Sequence, residues 1–274
     1  MTEKRSIPHA LRGTAAAVAF LACWLVALSL LTALLHPAIT GTLSGNPAQM
    51  RLALELLSLA SVAAPTVLFA RLRPPAEPRT GALVASGLGA VFGLFWLGGA
   101  LGANWLAGNL SVGPAHPAAH LAIWAAACLA NAAFQEMLVR GFAFDSLRES
   151  LGVVPATLVT TALFVAFHPG AFADGPAAVL QMAAASLLLT ELRLLTGGLA
   201  ASTAAHFAWN AAGGIGLGVV ALADDYPHAL SLSVGGGASL SAGAMGVEGS
   251  PWTLLVTAAI CVALALKLQK SGGA

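Results

Sequence analysis

Continuous apolar runs of about twenty residues alternate along the chain with short polar connections. The period-two alternation over about ten residues that marks a membrane strand is absent. A hydrocarbon core about 30 Å thick requires roughly 20 apolar residues per crossing helix. Eight runs approach that length, at about 14–35, 50–70, 81–107, 119–147, 153–172, 176–195, 198–222 and 251–268. Lys4, Arg5 and Arg12 precede the first, as in a secretory leader. Its apolar stretch exceeds the roughly 7–15 residues of a leader core, so it reads as a retained helix. The pattern predicts an all-α polytopic membrane protein of about eight transmembrane helices. Its parts are an N-terminal tail (1–13), a three-helix region (14–118), a core ending in an external Gly-rich loop (119–250), and a last helix with its tail (251–274).

Composition agrees. Of 274 residues, 58% are apolar and 8% charged, where a soluble domain carries about 25% charged residues. A water-soluble globule is excluded, and so is a disordered chain, which needs low hydrophobicity and high net charge. The net charge of +1 gives no electrostatic reason to expect a nucleic-acid partner. Its position matters more. With the N-terminus inside, every lysine and arginine except Arg51 falls on the inner side, which predicts an N-in, C-in topology. The segment Arg71–Arg79 is a Pro-rich inner loop, and 223–250 is a Gly- and Ser-rich outer stretch, mobile or re-entrant. Cys23, Cys128 and Cys261 are far apart inside apolar runs and suggest neither a disulfide framework nor a metal cluster.

Ionisable groups inside membrane helices are costly and mark function by default. The fourth run contains Asn131-Ala-Ala-Phe-Gln135-Glu136-Met-Leu-Val-Arg140-Gly141. Glu136 and Arg140 are four apart and share a helix face, either as a structural ion pair or as a carboxylate oriented by a cation. The fifth contains Phe164-Val-Ala-Phe-His168, and the seventh His206-Phe-Ala-Trp-Asn210, each again an i, i+4 pair. Glu191 and Arg193, near the end of the sixth, read as a solvated interfacial pair. If the fourth and fifth runs form a straight hairpin turning at Gly152, Glu136 and His168 each lie 16 residues from the turn. At 1.5 Å per residue both sit about 24 Å from it. His206 reaches the same depth if that hairpin projects about 12 Å beyond the membrane. A carboxylate, two imidazoles and an amide would then share one pocket able to activate water and hold an oxyanion. A His-Glu-x-x-His zincin motif is absent.

These three motifs, in this order, resemble the CPBP family of CAAX proteases and bacteriocin-processing membrane proteins, also called the Abi family. The family pattern is Glu-Glu-x-x-x-Arg, then Phe-x-x-x-His, then His-x-x-x-Asn or Asp. The resemblance covers about residues 119–250, including the approach Leu194–Ala205 to the last motif and, weakly, Gly243–Gly249. It implies an intramembrane protease in which Glu136 and His168 activate water, His206 and Asn210 hold the oxyanion, and Arg140 orients the acidic pair, with Gln135 and Phe164 in support. Gln135 stands where the family has its first Glu, and an amide cannot accept a proton at neutral pH. Two other functions follow from the same residues: a catalytically impaired scaffold or binding protein, motivated by Gln135, and a proton-coupled transporter with a Glu136, His168, His206 relay. No cofactor is expected, with a divalent metal at Glu136, His168 and His206 the alternative. The expected partners are membrane lipid and a membrane-associated peptide or protein substrate, not nucleic acid. The expected location is the bacterial inner membrane.

Overall fold

The computed structural model describes residues 9–72, 78–223, 225–235 and 243–270. Lys4, Arg5, Arg73, Asp224, residues 236–242 of the Gly-rich stretch and both extreme tails lie outside the described residues. Three long helices come first: α1 (His9–Leu43), α2 (Pro47–Leu72) and α3 (Ala82–Leu106). The core follows with α4 (Leu121–Arg140), α5 (Phe142–Leu151), α6 (Val153–Ala166), α7 (Pro169–Asp174), α8 (Pro176–Thr196) and α9 (Leu199–Asn210). A π turn, Ala211–Gly216, continues α9, and α10 (Pro251–Lys270) closes the chain.

Six of these segments are long and apolar enough to cross a membrane: 11–43, 47–71, 82–106, 121–151, 176–196 and 251–270. The fifth and seventh expected crossings are shorter. The helix α6 has 14 residues and rises only about 21 Å, because His168-Pro169 starts a new turn. The helix α9 has 12 residues before Gly213 and Gly214 pack against Val220 and Leu222 and the helix opens into its π turn. Among the described residues the expected eight crossings are therefore six by length, with the shorter apolar α6 and the short, more polar α9 between them. Large apolar side chains face outward along the long helices, such as Leu34 at 72% exposure and Phe95 at 70%. In water so broad an apolar surface would drive association; against acyl chains it is matched to its solvent.

Without a hydrophobic driving force between helices in lipid, small residues and buried polar pairs hold them together. Gly89 and Gly93 of α3 lie directly on Ala201 and Ala205 of α9, where a Cβ would meet backbone. One turn further on, Trp96 stacks on Trp209 with ring centroids 3.8 Å apart. Its Nε1 donates to Thr257 of α10 at 2.9 Å. Asn104 joins the same helix, donating to Thr253 and accepting from Ser250.

Two features depart from the sequence reading. The fourth run is not one straight rod: it breaks at Gly141, whose φ of −87° and ψ of −134° are not helical. Beyond the break, α5 is amphipathic, and Arg193 of α8 reaches its Asp145 at 3.0 Å. Glu191 and Arg193 are thus buried, at 4% and 7% exposure, rather than a solvated pair. The second departure is a two-stranded antiparallel ribbon. Strand β1 (Leu110–Ala115) pairs with β2 (Leu230–Val234), with Leu110 opposite Val234 and Ala115 opposite Leu230. The ribbon ties the stretch after α9 to the end of α3.

Candidate active site

The site grows from one fully buried cation. Arg140, at the end of α4, donates to Glu136 Oε1 at 2.6 Å, one helical turn back. Its other guanidinium nitrogens reach the Ser186 carbonyl and Oγ, both at 3.0 Å, and Thr190 Oγ1 at 3.3 Å on α8. Its plane lies 4.9 Å from the Phe164 ring on α6. A guanidinium brings five donors in a fixed fork, and here the fork ties α4, α6 and α8 at one level. Glu136 is also fully buried, and the same Oε1 accepts from His206 Nδ1 at 3.0 Å. Glu136 therefore sets the ring of His206 as a carboxylate does in a hydrolase triad, by holding Nδ1–H and leaving Nε2 free.

A cavity of about 180 Å³ opens in front of this pair. At roughly 30 Å³ per water it has room for a scissile amide and the water that attacks it. Gln135, His168, His206 and Asn210 line it, together with Phe164 and Trp209. Glu136 does not; it stands behind His206, because adjacent helical residues point about 100° apart. His168 follows the end of α6, and its Nδ1 donates to the Phe164 carbonyl at 2.7 Å. A carbonyl oxygen only accepts, so Nδ1 carries the proton and the neutral ring keeps its lone pair on Nε2. Phe164 lies between the two imidazoles, 4.4 Å from His168 and 5.9 Å from His206 between ring centroids.

The structure brings Gln135, Glu136, Arg140, Phe164, His168, His206 and Asn210 to one place, with two changes in geometry, and leaves Glu191 and Arg193 apart from them. Glu136 meets His206 directly rather than His168. The straight-hairpin count is replaced by a bend at Gly141. Among the described residues, no group of three or more His, Cys, Asp or Glu side chains is placed to hold a metal ion.

Two acids that the sequence reading did not single out also line the cavity, Glu55 of α2 and Glu248 of the turn before α10. Glu55 accepts from Asn131 Nδ2 at 2.9 Å, and Asn131 Oδ1 accepts from Gln135 Nε2 at 2.8 Å. Glu248 accepts from Trp209 Nε1 at 3.1 Å and from the Ala221 amide at 3.3 Å. Glu55 carried a signal, an ionisable residue in the apolar run 50–70. Glu248 carried none, because only the return of a long loop brings it inward.

Residues 117–212 match the family model described as Rce1-like, type II CAAX prenyl endopeptidase. That segment runs from just before α4 to the π turn and contains all three motifs. The match spans about a third of the chain, and that segment is similar to the CPBP/CAAX proteases. This likeness and the six helices among the described residues that are long and apolar enough to cross a membrane support an integral membrane protein. No curated protein and no solved structure matches the chain.

Proposed function

We propose that this chain is an intramembrane endopeptidase of the CAAX type, hydrolysing a peptide bond of a membrane-associated substrate with water as the nucleophile. One observation carries the proposal: His168 lines the cavity with Nδ1 held by a carbonyl, so that Nε2 is the proton acceptor. In the reaction, Nε2 takes a proton from water as the water oxygen bonds to the scissile carbon. His168 then returns that proton to the leaving amine as the C–N bond breaks. Asn210 faces the same space and donates its side-chain NH₂ to the oxyanion, with the His206 ring lining that space beside it. Glu136 and Arg140 act from behind, fixing the His206 ring. The favoured substrate is a prenylated cysteine peptide, after the family description. The location assigned is the bacterial cytoplasmic membrane, with the Arg-rich helix ends on the cytoplasmic side.

The test uses purified protein in detergent micelles and a quenched fluorescent peptide carrying a farnesylated cysteine followed by three residues, beside the same peptide without the farnesyl group. Wild type should release fluorescence, and His168→Ala should lose about 10²–10⁴-fold in rate. An inactive wild type, or a His168→Ala variant of full activity, would remove the proposal. The scaffold reading, motivated by Gln135, would then take its place.

A further inference from the structure

We infer that Glu55 is a positioning residue of the cavity: through Asn131 it fixes the direction of the Gln135 side-chain amide and so presents the carbonyl oxygen Oε1 to the attacking water. The inference rests on the protease reading and explains how a chain with an amide at this position handles its nucleophile.

Hydrogen-bond polarity fixes each contact in this relay. Glu55 sits in α2 at 6% exposure, with Arg51 Nη1 3.4 Å from its Oε1 as countercharge. A carboxylate only accepts. Asn131 must therefore turn its NH₂ toward Glu55, as found at 2.9 Å. That leaves Asn131 Oδ1 facing α4's next turn, where it can only accept, and Gln135 Nε2 donates to it at 2.8 Å. The orientation of Gln135 is then settled. Its Oε1 is buried, has no partner within the protein, and belongs to a side chain on the cavity wall. An unsatisfied buried acceptor is costly, and a water in the cavity is the donor that would satisfy it.

The direction matters for the chemistry. A water that donates one proton to Gln135 Oε1 and the other to His168 Nε2 keeps a lone pair free for the scissile carbon. Were the amide reversed, its NH₂ would donate to the water oxygen and occupy the electrons that must attack. Gln135 orients and His168 deprotonates, so no carboxylate is needed at position 135.

The test is a cycle of Glu55→Gln, Gln135→Glu and the double variant, each followed by peptide hydrolysis and by thermal unfolding in detergent. Glu55→Gln leaves the relay without a fixed polarity, and kcat should fall about tenfold or more with KM within about twofold. Gln135→Glu alone sets two carboxylates competing for one asparagine NH₂. In the double variant the relay runs in reverse. The amide at position 55 donates to Asn131 Oδ1, and Asn131 Nδ2 donates to the carboxylate at position 135. The double variant should therefore exceed Gln135→Glu in both rate and melting temperature, a sign reversal that a space-filling role for Glu55 would not produce. Full kcat in Glu55→Gln, or a Gln135→Glu variant that behaves alike in both backgrounds, would overturn the inference. If the wild type cleaves neither the farnesylated nor the plain peptide, the protease reading fails by itself. The melting cycle then decides the relay, and additive single losses would sink it.

Discussion

Glu136 shows how burial changes the role of a residue. On the sequence it is the one acid of the first motif and the natural candidate for a base. In the folded protein its Oε1 holds both Arg140 and the His206 ring, and the side chain has no exposed surface. Breaking a buried pair by removing one charge costs about 3–5 kcal/mol, because the other charge is left uncompensated. Glu136→Gln should therefore lose both hydrolysis and a large part of its stability, measured together by peptide cleavage and thermal unfolding in detergent. His168→Ala should lose hydrolysis while keeping its melting temperature close to that of wild type. That contrast would separate an acid that builds the site from an imidazole that works in it, the roles proposed for Glu136 and His168. At this scale the sequence was informative about identity. The i, i+4 spacing located Arg140, His168, His206 and Asn210. It did not show which oxygen meets which nitrogen, because that depends on the rotation of α4 against α9. It also passed over Glu55, which gains meaning only when α2 sets it one hydrogen bond from Asn131.

The elements that carry these residues are placed by small side chains and by breaks. The close approach of α3 to α9 at Gly89 and Gly93 sets the depth of the helix that bears His206 and Asn210. Gly93→Val would force a branched side chain into the Ala205 backbone, one residue from His206. Overpacking of this kind typically costs about 1–3 kcal/mol. The variant should melt lower and hydrolyse more slowly, whereas Gly102→Val, on the same helix with open space around it, should change neither. Apolar runs predicted all the long helices, since a backbone in lipid must satisfy its own hydrogen bonds. They did not reveal the bend at Gly141 or the ribbon of β1 and β2. A lone glycine is compatible with a continuing helix, and two short strands distant in sequence leave little local periodicity.

At the scale of the whole molecule, the stretch after α9 returns to the protein and completes the cavity. Asp174 accepts from the amides of Ala244 and Met245, at 2.9 and 2.5 Å, and anchors the return to α7. Glu248 then lies against Trp209, and burial pushes its carboxyl up to about 7 against the opposing bonds from Trp209 and the Ala221 amide. An acid raised above its unfolded value of 4.5 binds more protons folded than unfolded between those limits, so its contribution to stability falls as pH rises from about 4.5 to about 7. Glu248→Gln stays neutral throughout, and its melting temperature should gain on that of wild type across this range. Parallel curves would show that the carboxyl does not titrate there. Arg51, the single exception to the one-sided distribution of positive charge expected from the sequence, pairs with Asp225 from this same return and with Glu55. What the sequence determined by itself was the solvent, the helical class and the likeness of residues 117–212 to a protease family, because transfer to lipid is set by composition over about twenty residues and the motifs are local. What only the tertiary structure decided was the division of labour among the polar groups. Hydrogen-bond polarity and burial are relations between helices, and no single helix contains them.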